Sequence, residues 1–225
     1  MPSPSSPLYW IALGDIHTAI DNLPRIPELA GAAGIIVSGD LTNLGDVSDA
    51  AKIMDALKAT GKSVWAQIGN MDKPGVNDWL EGQGCNLHCQ VRELTAGVGM
   101  FGVGGSTVTP FNTPSEFSEE QYSAWLDAAW PKAKAFPHTL LISHNPPKDT
   151  ACDVIPGGIH VGSQAVRNFI EQAQPEVCIC GHIHEARATD SIGRTQIVNP
   201  GAFADGGYVV LTLANDTLQA RLCTL

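Results

Sequence analysis

Five segments of this chain place Asp, Asn or His directly after a short apolar run. Asp15-Ile16-His17 follows residues 10–13, and Gly39-Asp40 follows residues 35–37. Gly69-Asn70-Met71-Asp72 follows residues 64–68, and Ser143-His144-Asn145 follows residues 140–142. Gly181-His182-Ile183-His184 follows residues 177–180. Two carboxylates, one amide oxygen and four imidazoles form a donor set that suits borderline divalent cations such as Zn, Mn, Fe or Ni. Taken singly, most of these residues have ordinary readings. Asp15 can cap a helix with His17 incidental on the surface, Asp40 suits a loop, Gly69-Asn70 is a common turn, and His144 suits a hydrogen-bonded loop. The pair His182 and His184 is the stronger signal. Five such elements, each at the end of a strand-like run, make coincidence a poor account of the set.

The apolar runs read as buried strands, and helical stretches between several of them point to largely parallel pairing. In such sheets the chemistry collects beyond the carboxyl ends of the strands. In an extended chain Asp15 and His17, two positions apart, project to one side. The first half reads as βαβαβ, with a helix from about residues 22–24, a helix over 47–60 stopped by Gly61, and a third strand over 63–68. Residues 84–109 read as strands with Gly-rich turns. Ser118 and Gln121 mark a capping box, a further helix spans 163–174, and the rest is all-β over 194–198, 208–213 and 218–222. Two packed sheets with helices outside accommodate this order.

The chain has 225 residues, 44% of them hydrophobic, and a formal net charge of −10 from 13 Lys plus Arg against 23 Asp plus Glu. That balance argues against a nucleic-acid backbone as partner, although metal ions can supply positive charge locally for a phosphate. Residues 1–7 are rich in Pro and Ser and read as a flexible leader, with residues 8–225 as one domain. The start lacks the pattern of a signal peptide, and no run reaches the ~20 apolar residues of a membrane span. Six cysteines without a dense framework suit a reducing cytoplasm. Cys178 and Cys180 read as small core residues and His138 as a turn residue. Cys85, His88 and Cys89 make only a weak metal trio. Trp125 and Trp130 read as packing residues on different helical faces.

The order Asp-x-His, Gly-Asp, Gly-Asn-x-Asp, His and Gly-His-x-His resembles the calcineurin-like metallophosphoesterase superfamily, and the likeness to its small prokaryotic phosphodiesterase-like members runs from Leu13 to Asn199-Pro200-Gly201. The resemblance implies an α/β (α+β) four-layer sandwich of two mixed β-sheets flanked by α-helices. It implies that Asp15, His17 and His184 hold one divalent metal, that Asn70, His144 and His182 hold the other, and that Asp40 bridges them. Mn is the expected metal, with Fe, Zn, Ni or Co also accepted by the ligands. Asn70 is in addition expected to contact substrate. The implied reaction is hydrolysis of small phosphodiesters or nucleotides by attack of a metal-bound hydroxide.

Met71 departs from the pattern, since many family members carry His there and a thioether has no proton to give. His160, in Gly158-Ile159-His160-Val161, is the expected substitute, facing the site and contacting the substrate phosphate; a purely loop-stabilising His160 is the competing reading. Met71 also keeps open a rival of another class, a non-catalytic metal-binding scaffold on the same fold. Retention of all seven presumed ligands argues for the enzyme. The partner is then a small phosphoester substrate, with no membrane, and exposed sheet edges leave a homo-oligomer open.

Overall fold

The structure is a computed structural model and describes residues 7–225. The leader assigned to residues 1–7 therefore lies, apart from Pro7, outside the described residues. The chain runs β1 (Leu8–Leu13), β2 (Gly34–Val37), α1 (Val47–Lys58), β3 (Ser63–Ala66), α2 (Pro74–Gly82), β4 (Val91–Thr95), β5 (Val98–Val103), β6 (Ser106–Thr107), β7 (Glu116–Phe117), α3 (Glu119–Ala133), β8 (His138–Ser143), β9 (Val154–Ile155), β10 (Ile159–His160), α4 (Gln164–Ala173), β11 (Val177–Ile179), β12 (Ala188–Ile192), β13 (Thr195–Asn199), β14 (Gly207–Ala214) and β15 (Thr217–Thr224). One sheet has the order β15-β14-β1-β2-β3 and the other β12-β13-β11-β8-β5-β4. Parallel pairing joins β1, β2 and β3 in the first, and β5, β8, β11 and β13 in the second; antiparallel strands complete both.

Strand alternation divides the apolar residues among three cores, and this makes the layers. On β1, Trp10 and Ala12 face the second sheet, whereas Ile11 and Leu13 face α1 and α2. On β2, Ile36 faces inward and Ile35 and Val37 outward. On β8, Leu140 and Ile142 enter the core between the sheets, while Leu141 packs under α3 and α4 with Cys178 and Cys180. A period of two with both faces covered turns an apolar run into a strand buried on each side. The result is helix, sheet, sheet, helix, the four-layer sandwich expected from the sequence.

Most elements fall where the sequence puts them. Helix α1 starts at an Asp46 capping box, α3 at the Ser118–Gln121 capping box, and α4 behind the Ser163 cap. The helix expected near residues 22–24 is instead a pair of 3₁₀ turns, Leu23–Arg25 and Leu29–Gly31. Pro27 is the physical reason: it withholds an N–H and disfavours α-conformation in the residue before it. Helix α2, not anticipated from the sequence, begins with Pro74 in its first turn and buries Val76 and Leu80. His138 is no turn residue: it opens β8, its ring between Glu176 and Asp216 at 3.0 Å from each.

Candidate metal centre

The loops after β1, β2, β3, β8 and β11 meet at one edge of the two sheets. Asp15 and His17 do not continue the extended strand as expected. Their backbones are left-handed, with φ of 49° and 45°, and so are those of Asp40 (52°) and His182 (68°). The turn is held by Asp15 N–H to Gly39 C=O at 3.2 Å and His17 N–H to Asp40 C=O at 2.9 Å. Backbone held in this sparsely populated region concentrates at functional sites.

All seven expected ligands converge. His184 Nε2 lies 3.2 Å from Asp15 Oδ1 and 3.1 Å from His17 Nε2. Asn70 Oδ1 lies 2.7 Å from His182 Nδ1 and 3.1 Å from His144 Nε2. Asp40 stands between the two groups, its Oδ2 3.5 Å from His17 Nε2 and 3.4 Å from His144 Nε2. Two ligands held ~2.1 Å from one cation sit ~3.0 Å apart at an octahedral edge and ~3.4 Å at a tetrahedral one. The separations of 3.1–3.5 Å lie at or beside that range on both sides of Asp40, whereas Asn70 Oδ1 and His182 Nδ1, at 2.7 Å, stand closer than two ligands of one cation would.

The protonation pattern fits a cation as well. His17 Nδ1 faces the Thr42 carbonyl at 3.3 Å, which assigns its proton there and leaves the Nε2 lone pair pointing at His184. Burial alone would raise the Asp40 carboxyl, but His144, then His17 and the Met71 amide, outweigh it and hold it below the usual carboxylate range. Burial opposes a charged His144, yet Asp40 foremost pushes that imidazole up to about 9. The bond to Asp15 raises His184, whereas burial and then the charge of His144 push His182 down to about 4. The carboxylates thus draw positive charge to this edge, and divalent cations meet that demand while the imidazoles stay neutral ligands.

A profile of the family described as "Metallophosphoesterase, calcineurin superfamily" matches residues 86–221. The chain belongs to this family. The matched segment contains His144, His182 and His184. This metallophosphoesterase is 33% identical over 200 residues to an uncharacterized protein of Methanocaldococcus jannaschii, an alignment covering 84% of this chain and 86% of that one. Its fold is similar to a crystal structure of a Thermus thermophilus protein, with a TM-score of 0.73, 20% identity, and 96% and 99% of the two chains covered. It is also similar to a dimetal phosphatase from Danio rerio, with a TM-score of 0.68, 13% identity and 99% of each chain covered. Membership makes the chain a metal-dependent phosphoric ester hydrolase by family.

The metallophosphoesterase edge opens into a cleft of about 550 Å³. Leu44, Met71 and Phe111 give it an apolar wall, Asn43, Asn112 and Thr113 supply amides and a hydroxyl, and among the described residues no Lys or Arg lines it. A larger outer groove of about 910 Å³, along residues 20–30 and the end of α1, contains none of the seven donors. The chemistry, not the size, identifies the site.

His160 is not brought into this cleft. It sits exposed on the β9–β10 hairpin with Nδ1 2.7 Å from Asp153 Oδ1, and Asp153 also accepts the backbone N–H groups of Asp149, Thr150 and Gly162. That carboxylate organises the loop and takes His160 with it, which corrects the expectation of a cleft-facing imidazole. The weak trio is incomplete: Cys89 Sγ lies 3.4 Å from His88 Nε2, but Cys85 does not join them. His88 accepts the Gly104 N–H and lies against Phe117 and Trp125, while Cys85 is buried against the Leu80 carbonyl. Trp125 and Trp130 do occupy different faces, Trp130 packing on Phe101 and Phe169.

Several supporting residues escaped the sequence reading. Asp72, wholly buried, accepts Leu41 N–H (3.0 Å), Gly69 N–H (3.0 Å), and the Thr42 N–H and hydroxyl (both 2.8 Å), tying the loop of Asp40 to that of Asn70. Burial and then the neighbouring Asp40 charge push its carboxyl up to about 6. Gln67 Nε2 reaches the carbonyls of Ser38, Val103 and Ile142, pinning the two sheets together just below the ligands. Asn199 holds the Gly181 and Ile183 carbonyls of the His182–His184 loop. Asp72 carried a signal as the last residue of the Gly-Asn-x-Asp motif, and Gln67 another as an amide at the end of an apolar strand, because a buried amide needs partners.

Proposed function

We propose that this metallophosphoesterase is a dinuclear phosphodiesterase acting on small diesters or nucleotides. In this reading residues 8–225 form the single catalytic domain. Asp15, His17 and His184 would hold one cation and Asn70, His144 and His182 the other, with Asp40 shared between them and Mn the expected metal. The observation that carries the reading is the position of Asp40 Oδ2, within 3.5 Å of an imidazole from each group. The name of the Danio rerio relative, a dimetal phosphatase, is consistent with a pair.

Bound here, two divalent cations supply Lewis-acid polarisation of the phosphoryl group and a lowered pKa for coordinated water. The protein's own contribution is placement. Thr42 fixes the His17 tautomer, and Asn199 and Asp15 fix the backbone that carries His182 and His184. Two features favour a diester over a monoester. Among the described residues the cleft offers no Lys or Arg to offset the second negative charge of a monoester, and Met71 has no proton for a poor leaving group. The apolar wall and the volume suit a small organic ester group, and Asn70 stands where substrate would enter.

The test is hydrolysis of bis(p-nitrophenyl) phosphate and p-nitrophenyl phosphate with Mn²⁺ by wild type and Asp40→Asn. Diester turnover exceeding monoester turnover, and lost in the variant, supports the proposal. A monoester preference overturns the substrate class. Metal-loaded wild type inert towards both esters moves the reading to the non-catalytic scaffold, the alternative that Met71 favours.

A further inference from the structure

Asn70 has one oxygen and one NH₂, and only the oxygen can hold a cation. Which end points inward depends on what holds the other. Nδ2 donates to Thr113 Oγ1 at 3.0 Å, leaving Oδ1 towards His182 and His144. A threonine hydroxyl both donates and accepts, so Thr113 alone would receive either end of the amide. Glu116 removes that freedom. Its Oε1 lies 2.6 Å from Thr113 Oγ1, and a carboxylate only accepts. The hydroxyl proton therefore goes to Glu116, and the free lone pair accepts only the NH₂ of Asn70.

The turn around Glu116 is held independently of that hydroxyl. The carboxylate also accepts the backbone N–H of Thr113 at 2.8 Å and of Thr109 at 3.2 Å. Ser115 N–H bonds the Asn70 carbonyl at 3.1 Å, and the Ser115 hydroxyl bonds the Asp72 carbonyl at 2.6 Å. The turn is thus docked on the loop it orients.

We infer that Glu116, acting through Thr113, is a positioning residue that keeps the Asn70 amide oxygen-inward and so sets the affinity of the Asn70–His144–His182 position for its cation. The inference rests on the two-cation reading above but concerns neither substrate nor reaction. Glu116 touches none of the ligands and lies 46 positions beyond Asn70 in the chain.

The test is calorimetric titration of metal-free protein with Mn²⁺, with the Asn70 side-chain amide read by NMR in the metal-free protein, where no paramagnetic ion broadens it. Thr113→Val removes the acceptor but keeps the backbone bond to Glu116, so the turn survives. Glu116→Gln removes the acceptor-only end of the relay, and Thr113→Ser preserves it. In Thr113→Val and Glu116→Gln, one of the two Mn²⁺ constants should weaken ~10–100-fold, the usual cost of losing an outer-shell partner, while the other holds. The Asn70 amide signal should shift in both, and Thr113→Ser should behave as wild type. Two constants unchanged in Thr113→Val and Glu116→Gln overturn the relay alone. A wild type that takes up fewer than two cations overturns the two-cation reading and the relay with it.

Discussion

The carboxylate of Asp40 accepts the backbone N–H of Met71 at 2.8 Å. Position 71 therefore serves Asp40, the proposed bridging carboxylate, through its main chain, and its side chain lines the cleft. Met71→His should leave Mn²⁺ affinity as it is and add a proton donor. Turnover of esters with poor leaving groups should rise at least ~10-fold, short of the ~10²–10⁴ of a fully tuned general acid. Steady-state kinetics across leaving groups checks this; a uniform response across them would mean that no proton is donated from position 71.

Asp72 is the knot beneath the centre, with four donors on two oxygens. Asp72→Asn replaces one accepting oxygen with NH₂ and leaves donors facing a donor, at about 1–3 kcal/mol for each unsatisfied group. Urea unfolding should show a loss of about 3 kcal/mol. Mn²⁺ affinity should fall as well, because Thr42, which orients His17, is released with it.

Gly69 lies where a side chain would collide with the carboxylate and backbone of Asp40. Gly69→Ala should cost about 1–3 kcal/mol as an overpacked site, and should displace the bridging oxygen. The Mn²⁺-induced rise in Tm expected of wild type should disappear in the variant; an undiminished rise would show that the bridge tolerates displacement.

His138 sits at the opposite end of β8 from His144, clamped by Glu176 and by Asp216 of the β14–β15 turn. Burial lowers its pKa, but the two carboxylates outweigh burial and raise it above the ordinary value. With the folded pKa raised, the clamp contributes fully below the unfolded value of ~6.5. That contribution is lost as pH rises through the folded pKa. The stability difference between wild type and Asp216→Asn should accordingly be larger at mildly acid than at alkaline pH in denaturant titrations. A difference independent of pH would remove the charge from the account.

His160→Ala should leave turnover within about twofold of wild type, as for a substitution away from the machinery, because the imidazole is spent on Asp153. A sharp loss of turnover with Mn²⁺ binding intact would return His160 to the cleft.

The ligand set was legible because it follows from strand ends. Residues 10–13, 35–37 and 140–142 are apolar on both faces, and a run buried on both faces must stop at the first Asp or His, whose polar group needs partners that the apolar cores do not supply. Local rules also fixed the capping box at Ser118. Proline chemistry decided two helices the other way, with Pro27 breaking one and Pro74 starting another.

What the sequence by itself determined is which residues stand at the strand ends, and hence the donor set and its family. The tertiary structure alone decided how those donors are aimed. The left-handed turns at Asp15 and His17, the Asp72 knot, the Gln67 tie between sheets, the Glu116–Thr113–Asn70 relay and the capture of His160 by Asp153 all join segments distant or differently oriented in the chain. Periodicity reports which face of an element is buried. It carries no information about which lone pair a buried amide or imidazole presents, because that depends on partners supplied by other loops.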